Sequence, residues 1–495
     1  MTLTRETMLD RMLASDATYD GRFITGVVST GIYCLPSCRA RKPRPENVVF
    51  HATPAEARAC GLRPCRRCCP DDFYTGHDHE ERRVERLAVN VTRDPGAYRD
   101  VNALAMAAGV SASKLHDLFR TYLHTTPAEY LARSRVRAAR HALLASARPA
   151  AAIAFEVGFE SLSAFNDNFR KYGAITPAAF RRWPRGAALE LILPEAYPRA
   201  AVLRFLGRDA VSLTERVAGD RYEAGLRVGG TNAHVHVTLE ERVARCVLTA
   251  DTTLDAEQRV RAHDALLGLL GLHVDPAKFE AQAVRDARMA ALLTGQRGLR
   301  PLLLPDPWDA LVWAIVGQQV TFSFACALRR RLVERWGTPT AANLSVPPSP
   351  TALARLDVVD LVPLGFTRAR AACLVGAARA VASGALPLDA LREGPATRIE
   401  RALRALPGVG PWTAHYVLMR GFGFLDCVPT GDSALAAALQ RCYGLPGRPS
   451  HADAARLMAA FAPYRSLATF HLWRHAHQVP SSGAFTNAPN DSETS

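Results

Sequence analysis

The chain has 495 residues, 48% hydrophobic and 22% charged. This excludes a disordered polypeptide and, at about 150 residues per domain, implies three or four domains. No run of about 18 apolar residues occurs, and Met1–Asp10 is mixed and charged, so neither a membrane span nor a secretory leader is expected. The net charge of +14 favours a polyanionic partner, and residues 1–185 hold 28 Lys and Arg against 19 Asp and Glu.

Six of the 11 cysteines fall between Cys34 and Cys69. An odd total without a leader argues against a disulfide framework. Cys34-Leu-Pro-Ser-Cys38 and Cys65-Arg-Arg-Cys68 are two close thiol pairs separated by a long loop, as a tetrahedral site for one Zn²⁺ requires. Cys60 and Cys69 read as bystanders, and spacing alone also admits a purely structural zinc ribbon.

Ser29-Thr-Gly-Ile-Tyr-Cys34 through Arg41, with Arg63-Pro-Cys65-Arg-Arg-Cys68, resembles the amino-terminal domain of the Ada family over about residues 5–75. The resemblance implies that Cys34 irreversibly accepts a methyl group from a DNA methylphosphotriester, with Cys38, Cys65 and Cys68 as the other zinc ligands. The chemistry is coherent. Four thiolates on Zn²⁺ carry a net negative charge that repels ordinary phosphodiesters, whereas a neutral triester can approach. Methylation of Cys34 removes one negative charge, so DNA binding should tighten, with Arg39, Arg41, Arg66 and Arg67 contacting phosphates.

Beyond the acidic, histidine-bearing link from Asp71 to Glu81, an internal repeat emerges. Leu104 and Gly109 recur as Ile153 and Gly158. Ser111, Leu115, Phe119, Arg120 and Tyr122 recur as Ser161, Phe165, Phe169, Arg170 and Tyr172. Thr126-Pro127 returns as Thr176-Pro177. Each copy reads as a helix, a Gly-centred turn, a Ser N-cap and a second helix. The recognition helices are expected near Ser111–Tyr122 and Ser161–Tyr172. The bland alternative is an ordinary helical bundle. Ile153-Ala-Phe-Glu-Val-Gly-Phe159, Phe165, Phe169 and Thr176-Pro177 resemble the AraC/XylS regulators, which implies promoter binding. Lys114 and Asn166 are the principal base- or backbone-contacting candidates, with Ser113, His116, Ser163 and Asn168 beside them.

Trp183-Pro-Arg-Gly186 reads as a linker. Strands are expected at Leu189–Leu193, Arg221–Val228, His234–Leu239 and Cys246–Thr249, then a helix from Ala256 to Gly271. His234 and His236 alternate with valines and read as the polar face of a strand. From Pro301 the chain is helical again. Leu406-Pro-Gly-Val-Gly-Pro-Trp412 is a hairpin whose Gly408 and Gly410 allow backbone N–H groups to meet a phosphate. Asp432 follows in Pro429-Thr-Gly-Asp-Ser433.

With Ala314-Ile-Val-Gly-Gln-Gln-Val320, Tyr464-Arg-Ser and His471-Leu-Trp473, residues 187–480 resemble the AlkA type of helix-hairpin-helix DNA glycosylase. The resemblance makes Asp432 the catalytic carboxylate, puts Trp412, Tyr416 and Trp473 against the base, and puts Gln319 where relatives carry a leucine wedge. Ser433 departs from the aromatic residue of better-known relatives. Bifunctional relatives place a lysine at the position of Trp412, so base release without strand cleavage is expected. No Cys-His pair occurs, so repair of O6-methylguanine is not expected.

The expected fold is multidomain, mainly α with α+β parts. It comprises a zinc-bound domain (1–78), a tandem helix-turn-helix domain (79–185), an α+β domain (187–300), an all-α helix-hairpin-helix domain (301–480) and a disordered tail (481–495). The expected function is a DNA alkylation-damage response that joins methyl sensing, transcription activation and excision of N-alkylated purines such as 3-methyladenine. Expected partners are damaged and promoter double-stranded DNA and RNA polymerase. A monomer in the bacterial cytoplasm, associated with the nucleoid and not with a membrane, is expected. One alternative is a transcription regulator whose glycosylase-like half only binds DNA, and another is an oxidation- or metal-responsive regulator built on Cys34–Cys69.

Overall fold

The computed structural model describes residues 3–74, 78–183 and 188–478, with side chains through 475. The expected linker at 184–186 and the tail at 481–495 lie outside the described residues. The chain divides into two compact units, residues 1–89 with 105–118, and residues 90–104 with 119–495. Among the described residues no helix is long and apolar enough to cross a membrane.

In the first unit, β1 (Ile24–Val27), β2 (Ile32–Cys34), β3 (Val48–His51) and β4 (Arg63–Pro64) form a sheet in the order β3-β1-β2-β4. β1 is antiparallel to both neighbours, and β2 runs parallel to β4. The core is small, with Ile24, Tyr33, Leu35 and Ala57 at its centre. Gly26 is required there, because a Cβ would lie 2.6 Å from Leu62 Cδ1 and 2.8 Å from Val49 Cγ2. So little apolar burial calls for an additional staple.

Both copies of the repeat fold as expected. Helix Val101–Ala108 leads through Gly109 (φ +65°) to helix Ala112–Leu123, and helix Ala150–Glu156 leads through Gly158 (φ +97°) to helix Leu162–Gly173. Ser111 and Ser161 precede the second helices as N-caps, accepting from Lys114 N (3.2 Å) and Ala164 N (3.1 Å). Helix Pro127–Ala145 joins the copies, with Thr126 as its cap.

In the second unit, β5 (Ala188–Ile192), β6 (Glu215–Ala218), β7 (Arg221–Val228), β8 (Thr231–Leu239) and β9 (Val243–Ala250) make an antiparallel sheet in the order β5-β9-β8-β7-β6. β7 has the expected bounds and β6 is additional. His234 and His236 alternate with buried Val235 and Val237, opposite Gly225 and Glu223, on the face of β8 that turns away from the core.

One continuous core crosses from the second helix-turn-helix copy into this sheet. Phe165, Phe169, Phe180 and Trp183 pack with Leu189, Leu191, Val235, Val260 and Leu266. Ile192 N donates to Ala174 O at 2.6 Å, and the Phe180 ring meets His263 at 5.0 Å. Arg140, 5% exposed, donates to Asp264 Oδ1 at 2.7 Å and contacts His263 Nδ1 at 2.7 Å. Burial, together with the nearby Arg140 charge, pushes the His263 imidazole down to about 3, so it is neutral and free to accept.

The remaining helices form two further apolar clusters. One gathers Leu311, Ile315, Leu374, Ile399 and Val417, and the other Phe279, Met289, Leu435, Met458 and Phe461. Trp473 packs against both. The segment leading to Asp432 runs between helix Pro411–Val417, continued to Phe422, and helix Ser433–Tyr443.

Candidate metal centre and candidate active site

The Sγ atoms of Cys34, Cys38, Cys65 and Cys68 all lie within 4.8 Å of one another. Four sulfurs at about 2.3 Å from Zn²⁺ are about 3.8 Å apart, a separation within the limit this cluster keeps. Among the described residues this is the only such cluster of three or more potential ligands, and neither Cys60 nor Cys69 belongs to it. The parallel pairing of β2 and β4 creates it: Cys34 ends β2, and Cys65 N continues the ladder to Tyr33 O at 2.9 Å. Cys65 Sγ and Cys68 Sγ accept from Arg67 N and Leu35 N, each at 3.4 Å.

Hydrogen bonding from Cys34 lowers Cys38 to about 7, and Cys65 is also lowered, whereas Cys34 and Cys68 are held well above the ordinary thiol value. Four adjacent thiolates need a divalent cation, and this donor set suits zinc. Cys38 and Cys65 are buried, while Cys34 and Cys68 are half-buried. Arg39, Arg41, Arg66 and Arg67 are all exposed, and among the described residues no ion pair involves any of them. Lys114 is exposed, but its Nζ is 2.7 Å from Glu80 Oε1. Asn166 Nδ2 donates back to Leu162 O at 2.7 Å, so its amide must turn to read a base.

Asp432 is the N-cap of helix Ser433–Tyr443, with Oδ1 accepting from Leu435 N at 2.7 Å. Two indoles converge on the same carboxylate. Trp473 Nε1 donates to Oδ1 at 3.0 Å, and Trp412 Nε1 donates to Oδ2 at 2.9 Å. Tyr416 lies between the indoles, 5.6 Å from Trp412 and 6.2 Å from Trp473 between ring centres. The structure thus brings together Asp432, Trp412, Tyr416 and Trp473. The indole N–H bonds were not foreseen, because they join residues 20 and 41 positions from the aspartate. Ser433 is exposed beside the carboxylate.

The hairpin at 406–411 is tied to this cluster through Gln318, whose Nε2 donates to Gly408 O (2.9 Å) and Thr413 Oγ1 (3.0 Å). Arg370 Nη2 in turn donates to Gln318 O at 2.6 Å. Gly408 has φ +85° and sits on Cys373, and a Cβ there would meet Cys373 Cβ at 3.0 Å and Sγ at 3.1 Å. A Cβ at Gly410 meets nothing within 4 Å, so that approach is open. Gln319 is exposed and has φ +52°, a left-handed conformation rare for a residue with a side chain. Gln318, Arg370 and Cys373 were not singled out from the sequence. Only Gln318, adjacent to Gln319, carried a signal that could have found it. A cavity of about 1000 Å³ beside helix Pro127–Ala145 is lined by neither Asp432 nor the indoles.

Family models match the metal binding domain of Ada over residues 7–71, a helix-turn-helix domain over 104–182, and the HhH-GPD superfamily of base excision DNA repair proteins over 312–463. A DNA-3-methyladenine glycosylase from Bacillus subtilis is 27% identical over 57% of this chain and 95% of its own. The solved 3-methyladenine DNA-glycosylase from Archaeoglobus fulgidus shares the fold over 58% of this chain and 98% of its own, with TM-score 0.52 and 20% identity. A probable bifunctional transcriptional activator/DNA repair enzyme AlkA from Mycobacterium tuberculosis is 32% identical over 93% of this chain and 94% of its own. An Ada-type zinc domain, a helix-turn-helix domain and an HhH-GPD glycosylase domain in one chain, with that similarity over 93% of its length, make the protein a member of the family of bifunctional transcriptional activator/DNA repair enzymes.

Proposed function

We propose that the chain senses alkylated DNA through Cys34, activates transcription through the tandem helix-turn-helix copies, and excises N-alkylated purines such as 3-methyladenine at Asp432. In the sensor, the Cys34 sulfur forms a bond to the methyl carbon of a phosphotriester. The carbon–oxygen bond breaks, and its electron pair leaves on the phosphate, restoring a phosphodiester. Zinc at the site supplies the charge compensation that keeps the thiol deprotonated at neutral pH. The product is a thioether on Cys34, so the step is stoichiometric. Arg39, Arg41, Arg66 and Arg67 then grip the backbone more tightly, with Lys114 and Asn166 facing promoter DNA and RNA polymerase recruited beside it.

The observation that carries the repair half is the Asp432 carboxylate held by two indole N–H groups against a phenol ring. A base drawn out of the stack lies against these rings, which attract a cationic alkylpurine. The bond from C1′ to the base breaks with its electrons on the base. The Asp432 carboxylate stabilises the positive charge growing on the sugar or orients the water that adds to C1′. Gly408 and Gly410 present backbone to a phosphate, and Gln319 fills the gap left in the duplex. With tryptophan at 412, no Schiff base forms and the strand stays intact.

Base release from dimethyl-sulfate-treated DNA tests the reading. Wild type should release methylpurines, and Asp432→Asn should bind the DNA but release none. A wild type no more active than that variant would favour a regulator whose second half only binds DNA. Peptide mass spectrometry should find the added methyl on Cys34 after exposure to methylated DNA. Oxidant-driven zinc loss without that mark would favour a redox sensor.

A further inference from the structure

Behind the aromatic cluster lies a charge that the proposed mechanism does not use. Arg420 is 3% exposed, and among the described residues no ion pair involves it. Its Nε donates to Leu302 O at 2.7 Å, and Nη1 donates to the Tyr416 hydroxyl at 3.4 Å. The guanidinium carbon lies 5.1 Å from the Phe205 ring centre, 5.5 Å from Phe470 and 5.8 Å from Tyr416. Phe470 in turn meets Trp473 at 5.7 Å, and Tyr416 meets Trp412 at 5.6 Å. The two indoles are half-buried, whereas Tyr416 and Arg420 lie deeper. Tyr416 therefore separates the fixed cation from the side on which a base is taken up.

The guanidinium stands toward the hydroxyl end of Tyr416 rather than over the centre of its face, so it acts on a base beyond the ring as a fixed charge. Two like charges on either side of Tyr416 repel in a medium that screens far less than water. Burial lowers Arg420 only to about 10, so the side chain stays charged at neutral pH. Arg208 adds to the local positive field, and Glu215 opposes it.

The geometry points to Arg420 as a specificity-determining residue, whose fixed charge behind Tyr416 reduces the preference for cationic alkylpurines and so admits neutral damaged bases. This inference rests on the glycosylase reading. A charge about 9 Å from the base, at an effective dielectric near 20, changes relative rates by at most about twentyfold.

The test uses the full chain and two duplexes, one carrying cationic 7-methylguanine and one carrying neutral hypoxanthine, with single-turnover rates of base release. Arg420→Met should raise the cationic-to-neutral rate ratio about five- to tenfold, and Arg420→Lys should leave it near the wild-type value. Loss of packing alone slows both substrates together and leaves the ratio fixed. Should Arg420→Met fail to fold, Glu215→Gln serves instead, because removing the opposing acid should lower the ratio by a smaller factor. An unchanged ratio in folded Arg420→Met, or in Glu215→Gln where that variant stands in, overturns the inference. A wild type that releases neither base overturns the glycosylase reading itself.

Discussion

Gly408→Ala tests whether the hairpin before Trp412 owes its shape to one missing Cβ. At φ +85° an alanine pays about 1–2 kcal/mol for the left-handed backbone. Its Cβ would also stand 3.0 Å from Cys373 Cβ and 3.1 Å from Sγ. Cys373 is buried within helix Arg368–Ala382, so it cannot swing aside, and overpacking of this kind costs about 1–3 kcal/mol. Together the two effects predict a loss of about 2–5 kcal/mol, or about 2–4 °C in melting temperature per kcal/mol for a body of this size. Cys373→Gly removes both touched atoms. In a double-mutant cycle its own helix penalty cancels, and the coupling should return the steric part, about 1–3 kcal/mol. Urea unfolding of wild type, both single variants and the double variant measures this, with affinity for damaged duplex read in parallel. A Gly408→Ala protein within about 0.5 kcal/mol of wild type would refute the reasoning. A strictly additive pair would refute the contact with Cys373.

Gln319→Gly should leave stability unchanged or raise it by up to about 1 kcal/mol, because it relieves a left-handed side chain, yet it should slow base release. Unfolding and single-turnover assays on the same preparation check that split, and equal loss in both would contradict it. Chelation should remove one zinc per chain, measured by elemental analysis, and melt the sheet around Cys34, because metal binding there is folding energy. Retention of that sheet in metal-free protein would count against it. His415 predicts a pH dependence. Burial alone would lower its basicity, but hydrogen bonding to Glu400 and to the Val428 carbonyl reverses this, and the net shift is upward. A histidine with a raised folded value adds stability that is complete below its unfolded value near 6.5 and fades as pH rises through the folded one. His415→Gln should flatten that decline in unfolding experiments across pH 6–9, and an unaltered slope would exclude the Glu400 pairing as its source.

The thiol cluster was legible in the sequence because each pair is local and only one long loop closes on another. The repeat was legible for a similar reason: its Ser caps and turn glycines act within a few residues. In the second unit, β7 could be read to the residue, while β6 could not. Glu215–Ala218 is a half-exposed edge strand, and four residues of mixed polarity carry almost no period. At the site, the types of Asp432, Trp412 and Trp473 were readable, but the hydrogen bonds uniting them depend on three separate elements meeting. Lys114 reads as a free cation in sequence, whereas helix His79–Arg93 brings Glu80 to it. Arg420 gave no signal, because a lone arginine in an apolar helix acquires meaning only once distant Phe205 and Phe470 close on it beside Tyr416.

The apolar continuum from Phe165 to Leu266 leaves the second reading helix with no private foundation. A fragment ending near Trp183 would carry Phe180 and Trp183 into water, and one starting near Ala188 would bare the matching side of the sheet. In this chain the two halves share that joint, so changes on either bank of the seam must be matched on the other.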